Sequence, residues 1–127
     1  MNLLKTSCLI ATLASLAGCA FDLVSVSQKP VTFAPGGGSG SFQLAKEVRA
    51  GLGTGFPTVL RADTTWKQVG TTEFGEVFAT KDQIVKVEAS NIHEAEIVLS
   101  ERSLVGFYLP VEKTFAPLSH PVLLEFK

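Results

Sequence analysis

From Ser41 to the C-terminus, apolar side chains recur at every second position, in short runs separated by Gly, Pro, Asp and Thr. A strand shows its side chains to alternate faces, so period two is the pattern of a half-buried β-strand. Val85, Val87 and Ala89 alternate with Lys86 and Glu88, and Val122, Leu124 and Phe126 alternate with Glu125 and Lys127. Phe42, Leu44 and Val48 share one face, and Phe74 and Phe78 are expected to share another around Glu76. Thr58 to Arg61 and Trp66 to Thr71 add two further extended runs. Gly75 reads as a bulge or a close approach of backbone. No long helical stripe competes with these runs. The expected class is all-β, a small barrel or compact sandwich of sequential antiparallel hairpins. An SH3-like barrel fits the size and strand spacing, although no residue set selects it over other small β folds.

Ile92 to Val111 reads as a hairpin, with Ile97-Val98-Leu99 and Leu104 to Leu109 as arms and Ser100-Glu101-Arg102-Ser103 as the turn. A helix competes for the first arm, because Asn91 and Glu94 have capping-box spacing. Its apolar stripe of Ile92, Ala95 and Leu99 is thin and is interrupted by Glu96, which favours the strand. Pro110, Pro117 and Pro121 lack the amide proton a ladder needs and belong at strand ends, edges or loops.

The N-terminus has a different character. Lys5 precedes an uncharged stretch from Thr6 to Ala17, which closes on Leu16-Ala17-Gly18-Cys19. A charged start, an apolar middle and small residues at the end are the order of a secretory signal. The run is shorter than the ~20 apolar residues that span a bilayer, and Asp22 and Lys29 follow it closely. A plain secretory signal and an N-terminal core helix are the rival readings. Leu16-Ala17-Gly18-Cys19 resembles the lipobox of bacterial lipoproteins. The resemblance covers about a sixth of the chain and says nothing of the domain's activity. It implies removal of residues 1–18 as a signal helix, with Leu16, Ala17 and Gly18 as the signal-peptidase recognition residues. It also implies a diacylated sulfur on Cys19 and an acylated new N-terminus. Membrane attachment would then run through that lipid. In Gram-negative lipoproteins an Asp after the lipidated Cys resembles an inner-membrane retention signal. Ala20 stands there instead, which implies an outer-membrane protein facing the periplasm.

Residues 19–40 are expected to form a flexible tether, given Ala34-Pro35-Gly36-Gly37-Gly38-Ser39-Gly40. Residues 41–127 form the β-rich domain. Leu23, Val24, Val26, Val31 and Phe33 could add an edge strand, a point the pattern leaves open. Cys8 and Cys19 are the only cysteines, so loss of the signal and lipidation would leave no thiol and no disulfide. Nine Phe, one Trp and one Tyr must then supply the core by packing alone. Lys5 is the one charge in the first 18 residues, and its loss takes the formal net charge from −1 to −2. With no cluster of Lys and Arg to displace counterions from phosphates, nucleic-acid binding is not expected.

Chemical motifs are sparse. Gly51-Leu52-Gly53-Thr54-Gly55 places its third glycine one position early for a dinucleotide loop and opens no helix. His93-Glu94-Ala95-Glu96 begins like a zinc-protease helix, but Ile97 stands where the second imidazole belongs. A metal or hydrolytic site would have to recruit His120, and His93 is more simply a half-buried strand residue. Glu73, Glu76, Glu94 and Glu96 offer carboxylate pairs of the kind any acidic surface provides. No catalytic residue, metal or cofactor is expected. The run from Leu104 to Val111 reads first as a central core strand. Its alternative is an aromatic binding surface for an envelope protein, with Trp66, Phe107 and Tyr108 as anchors. The functional expectation is a non-enzymatic binding or assembly module. The alternative is a small-ligand or metal binder with weak hydrolase chemistry around His93 and His120.

Overall fold

The computed structural model describes residues 28–36, 40–53, 56–88 and 92–127. They form an all-β, mainly antiparallel protein with no helix among the described residues. Five strands make the central meander: β6 (Thr65–Thr72), β7 (Gly75–Ala79), β10 (Glu96–Ser100), β11 (Ser103–Leu109) and β12 (Thr114–Leu123). Five short strands precede β6: β1 (Lys29–Pro30), β2 (Ala34–Pro35) and β3 (Ser41–Gln43) join the sheet, and β4 (Val48–Ala50) pairs with β5 (Thr58–Leu60) in a ribbon of their own. A second ribbon joins β8 (Lys86–Glu88) to β9 (Ile92–Glu94).

The order across the sheet is β1-β12-β11-β10-β7-β6-β2, with β3 also on β6. Its two ends, β1 and β2, belong to one extended segment. If the sheet were flat, six inter-strand steps of ~4.8 Å would separate them by roughly 29 Å. The chain from Lys29 to Ala34 can reach at most about 18 Å. The sheet is therefore curled, and residues 29–35 strap its two edges together. This also disposes of the pairing groups on β12 and β6 that an open sheet would leave free.

Alternation sends side chains to two cores. On one face Trp66, Phe78, Ile97, Leu99, Leu104, Phe107, Leu109, Leu118 and Leu124 pack with Leu44, Val48, Leu60, Val85 and Val87 from the flanking segments. On the strap face Val77, Val98, Tyr108 and Phe115 pack with Val31, Phe33, Val69, Phe74 and Val105. Phe33 of the strap stacks on Tyr108 with ring centroids 4.8 Å apart, and Phe74 stacks on Phe115 at 4.4 Å. Gly70 is what lets the strap lie so close. A Cβ there would fall 2.4 Å from the Phe33 ring and 2.6 Å from the Ala34 carbonyl oxygen. Trp66 is wholly buried, and its indole N–H donates to Thr64 Oγ1 at 2.9 Å, whose own hydroxyl donates to the Arg61 carbonyl.

The hairpin expected over 92–111 is present as β10 and β11, turning through Glu101 and Arg102, and the helical alternative is not formed over its described residues. Three expectations change. The stretch 28–36 is part of the folded sheet and not of a free tether, because Val31 and Phe33 have a core to enter. Phe74 and Phe78 lie in opposite cores, since Phe74 sits in the β6–β7 turn, where strict alternation lapses. Trp66, Phe107 and Tyr108 do not form a binding surface: they are 0%, 0% and 4% exposed. Rings of that area, on central strands covered on both faces, are worth more in the core than in water. Leu16, Ala17, Gly18 and Cys19, the tether residues 20–27 and 37–39, and Ala89 and Asn91 lie outside the described residues.

Candidate functional site

Directly opposed residues of an antiparallel ladder point to the same face. Lys29, Phe115, Tyr108 and Glu96 are paired in succession across β1, β12, β11 and β10. Ile97 pairs with Phe78, so one residue further along Glu96 stands beside Ala79, which itself pairs with Lys67 of β6. A single row thus crosses the strap face, with aromatic rings at one side and Glu96-Ala79-Lys67 at the other. Ala79 has almost no side chain, so the row dips between Glu96 and Lys67, whose backbones are two strands, or about 10 Å, apart.

Two cavities open at this dip and share Ala79 and Thr80. The first, about 240 Å³, is bounded by Glu94, Ala95, Glu96, Pro110 and the 83–85 segment. The second, about 320 Å³, is bounded by Thr65, Lys67, Val69, Lys81 and Asp82. They adjoin at Ala79 and Thr80, with Glu94 and Glu96 on the first and Lys67 and Lys81 on the second, a pair termed the trough.

Its rim is fixed by hydrogen bonds. Thr80 Oγ1 donates to the Thr65 carbonyl at 2.6 Å and accepts from the Asp82 amide at 3.1 Å. The Thr65 amide donates to Asp82 Oδ2 at 2.7 Å. Gln83 donates through Nε2 to the Val59 carbonyl and accepts from the Arg61 amide, and the Arg61 guanidinium reaches the Asp82 carbonyl. The loop 80–83 is therefore held to β5 and β6 before any ligand arrives, which lowers the entropic cost of binding.

Burial raises the Glu96 carboxyl above the ordinary carboxylate value, and among the described residues it forms no ion pair. Burial, and then the Glu96 charge, raise the neighbouring Tyr108 phenol. A desolvated carboxylate without a cationic partner is a strong acceptor for an incoming ammonium.

The histidines lie elsewhere and apart. His93 Nδ1 is 2.6 Å from Glu112 Oε1, tying β9 to the β11–β12 turn. That hydrogen bond is the largest influence on Glu112 and holds its carboxyl below the ordinary value. His120 lies on the exposed excursion of β12, whose Ser119 donates through both amide and hydroxyl to the Gly51 carbonyl. The β11–β12 turn and His120 are at opposite ends of β12, and no group of three or more His, Cys, Asp or Glu able to hold a metal occurs among the described residues. Glu94 and Glu96 read in the sequence only as part of an ordinary acidic surface. Lys67, Ala79 and Thr80 carried no sequence signal, because only the register across three strands brings them together.

Comparison with protein-family models, with curated proteins and with solved structures gives no match to this chain.

Proposed function

We propose that this chain is a bacterial cell-envelope lipoprotein whose β domain is a non-enzymatic binding module, with its ligand site in the trough between Glu96 and Lys67. Support for the anchor is the motif Leu16-Ala17-Gly18-Cys19 at the end of a signal-like segment. Cys19 carries the lipid, and Ala20 favours the outer membrane, facing the periplasm. The observation that carries the binding reading is the trough itself: an opposed carboxylate and ammonium on a row floored by alanine, with a rim already pinned. Groups held in place by such a network serve recognition, since little order remains to be lost on binding.

Two measurements test this. Cys19→Ala should move the protein out of the membrane fraction or leave it unprocessed, and unchanged mass and fractionation would refute the anchor. A photo-crosslinking side chain at Lys81, on the rim, should give discrete adducts in whole cells. The same group at Glu101, at the other end of β10, should not. Equal labelling from both positions, or none from either, would refute a binding site in the trough.

A further inference from the structure

We infer that the trough takes a small zwitterion, an amino acid or a peptide of up to about three residues, with its ammonium on Glu96 and its carboxylate on Lys67. This rests on the trough being the binding site and adds the class of ligand. The two charged residues stand on one face in one row, two strands apart, with Ala79 between them. Their backbones are about 10 Å apart. Were the two charged groups as far apart as their backbones, charge-assisted hydrogen bonds of roughly 2.8 Å at each end would leave about 4 Å between the ligand's own charges if all lie in line. If the ligand lies above the row, that span grows towards 10 Å. Each residue of extended chain adds about 3.3–3.6 Å, so the window holds one to about three residues and excludes longer peptides bound by both ends.

The surrounding groups agree with that assignment. Ala79, Ala95, Val69 and Pro110 give an apolar floor and wall, suited to short aliphatic side chains. Glu94 strengthens the acidic end and Lys81 the basic end, while Asp82 Oδ2 accepts from the Thr65 amide. A simple cation would satisfy only one end, and a simple anion only the other. A ligand with both charges satisfies each, and it leaves neither Glu96 nor Lys67 uncompensated as water is displaced.

The test is calorimetric titration of the full chain in detergent micelles with Ala-Ala, N-acetyl-Ala-Ala and Ala-Ala-amide. Ala-Ala should bind saturably. Blocking its amine should weaken binding at least about tenfold in the parent protein and leave it unchanged in Glu96→Gln. Blocking its carboxylate should do the same in the parent and nothing in Lys67→Met. A tenfold loss per end is the low side of what a charged hydrogen bond contributes. Urea titration of each variant shows that it is folded. Absence of saturable Ala-Ala binding in the folded parent, or end-blocking effects equal in all three proteins, overturns the zwitterion assignment. Cross-linking from Lys81 reports separately on whether the trough binds anything, so the two ideas can fail independently.

Discussion

Phe33→Ala tests whether the strap is a structural part of the domain. The ring is half-buried, lies 4.8 Å from Tyr108 in a parallel stack and covers Gly70. Removing a fully buried Phe costs about 3–5 kcal/mol, so partial exposure reduces the burial loss to roughly 2 kcal/mol. The stack with Tyr108 adds about 0.5–1 kcal/mol. A loss of about 2–3 kcal/mol is expected. With a urea slope near ~1.5 kcal/mol per molar, the midpoint should fall by roughly 1.5–2 M. Native-state hydrogen exchange should show faster opening at the β6 and β12 edges that the strap pairs with, and the β10–β11 hairpin should change less. Phe56→Ala is the control, because Phe56 is 78% exposed and its loss should stay within ~0.5 kcal/mol. A midpoint shift below about 0.3 M in Phe33→Ala, or one matching the control, would mean that residues 28–36 are a tether after all.

Further outcomes follow from other sites. Gly75→Ala should destabilise by more than ~2 kcal/mol in the same assay, since its Cβ would meet the Leu99 carbonyl and its φ of 153° is hostile to L side chains. Glu96→Gln should stabilise the free protein at neutral pH. Its carboxyl is raised by burial in the folded state, so the wild type loses stability as pH rises through the folded value, and the amide removes that loss. A flat difference between the two proteins from pH 4 to 8 would contradict this. Glu112→Gln should act on the acid side. The native carboxyl is depressed, mainly by His93, so its contribution is present above the ordinary carboxylate value and disappears as pH falls through the folded one. The variant's acid-unfolding curve should be shallower there, and an unchanged curve would refute it.

The parts of the fold that were legible are those governed by local alternation. Ile97 to Leu99 and Leu104 to Leu109, with polar residues between, can hardly be other than a two-sided core hairpin, and they are one. The strap was not legible. Lys29-Pro30 and Ala34-Pro35 make only two pairs each, with strands more than thirty residues away, and the adjoining glycines suggested a linker. Tyr108 and Trp66 were ambiguous because a large ring suits a core and an interface equally. The strap covering Tyr108 settles its role, and no local signal announces that cover. Of the trough only the acidic half showed even its residues, Glu94 and Glu96, and these read as an ordinary acidic surface. Its other half depends on Ala79 being in register with both neighbours, a property of the assembled sheet.

The strap's position also sets the reach of the molecule. Nine residue steps separate Cys19 from Gln28, whose side chain already accepts a hydrogen bond from Thr114 Oγ1. Such a leash can be no longer than about 32 Å at full stretch. If Cys19 carries the proposed lipid, the domain would be a short-range patrol, sampling solutes in the thin layer next to the headgroups. Any outward tug on it would load the Gln28–Thr114 hydrogen bond and the β1–β12 pairs first, so the seam holding the sheet shut is also where the leash is sewn on.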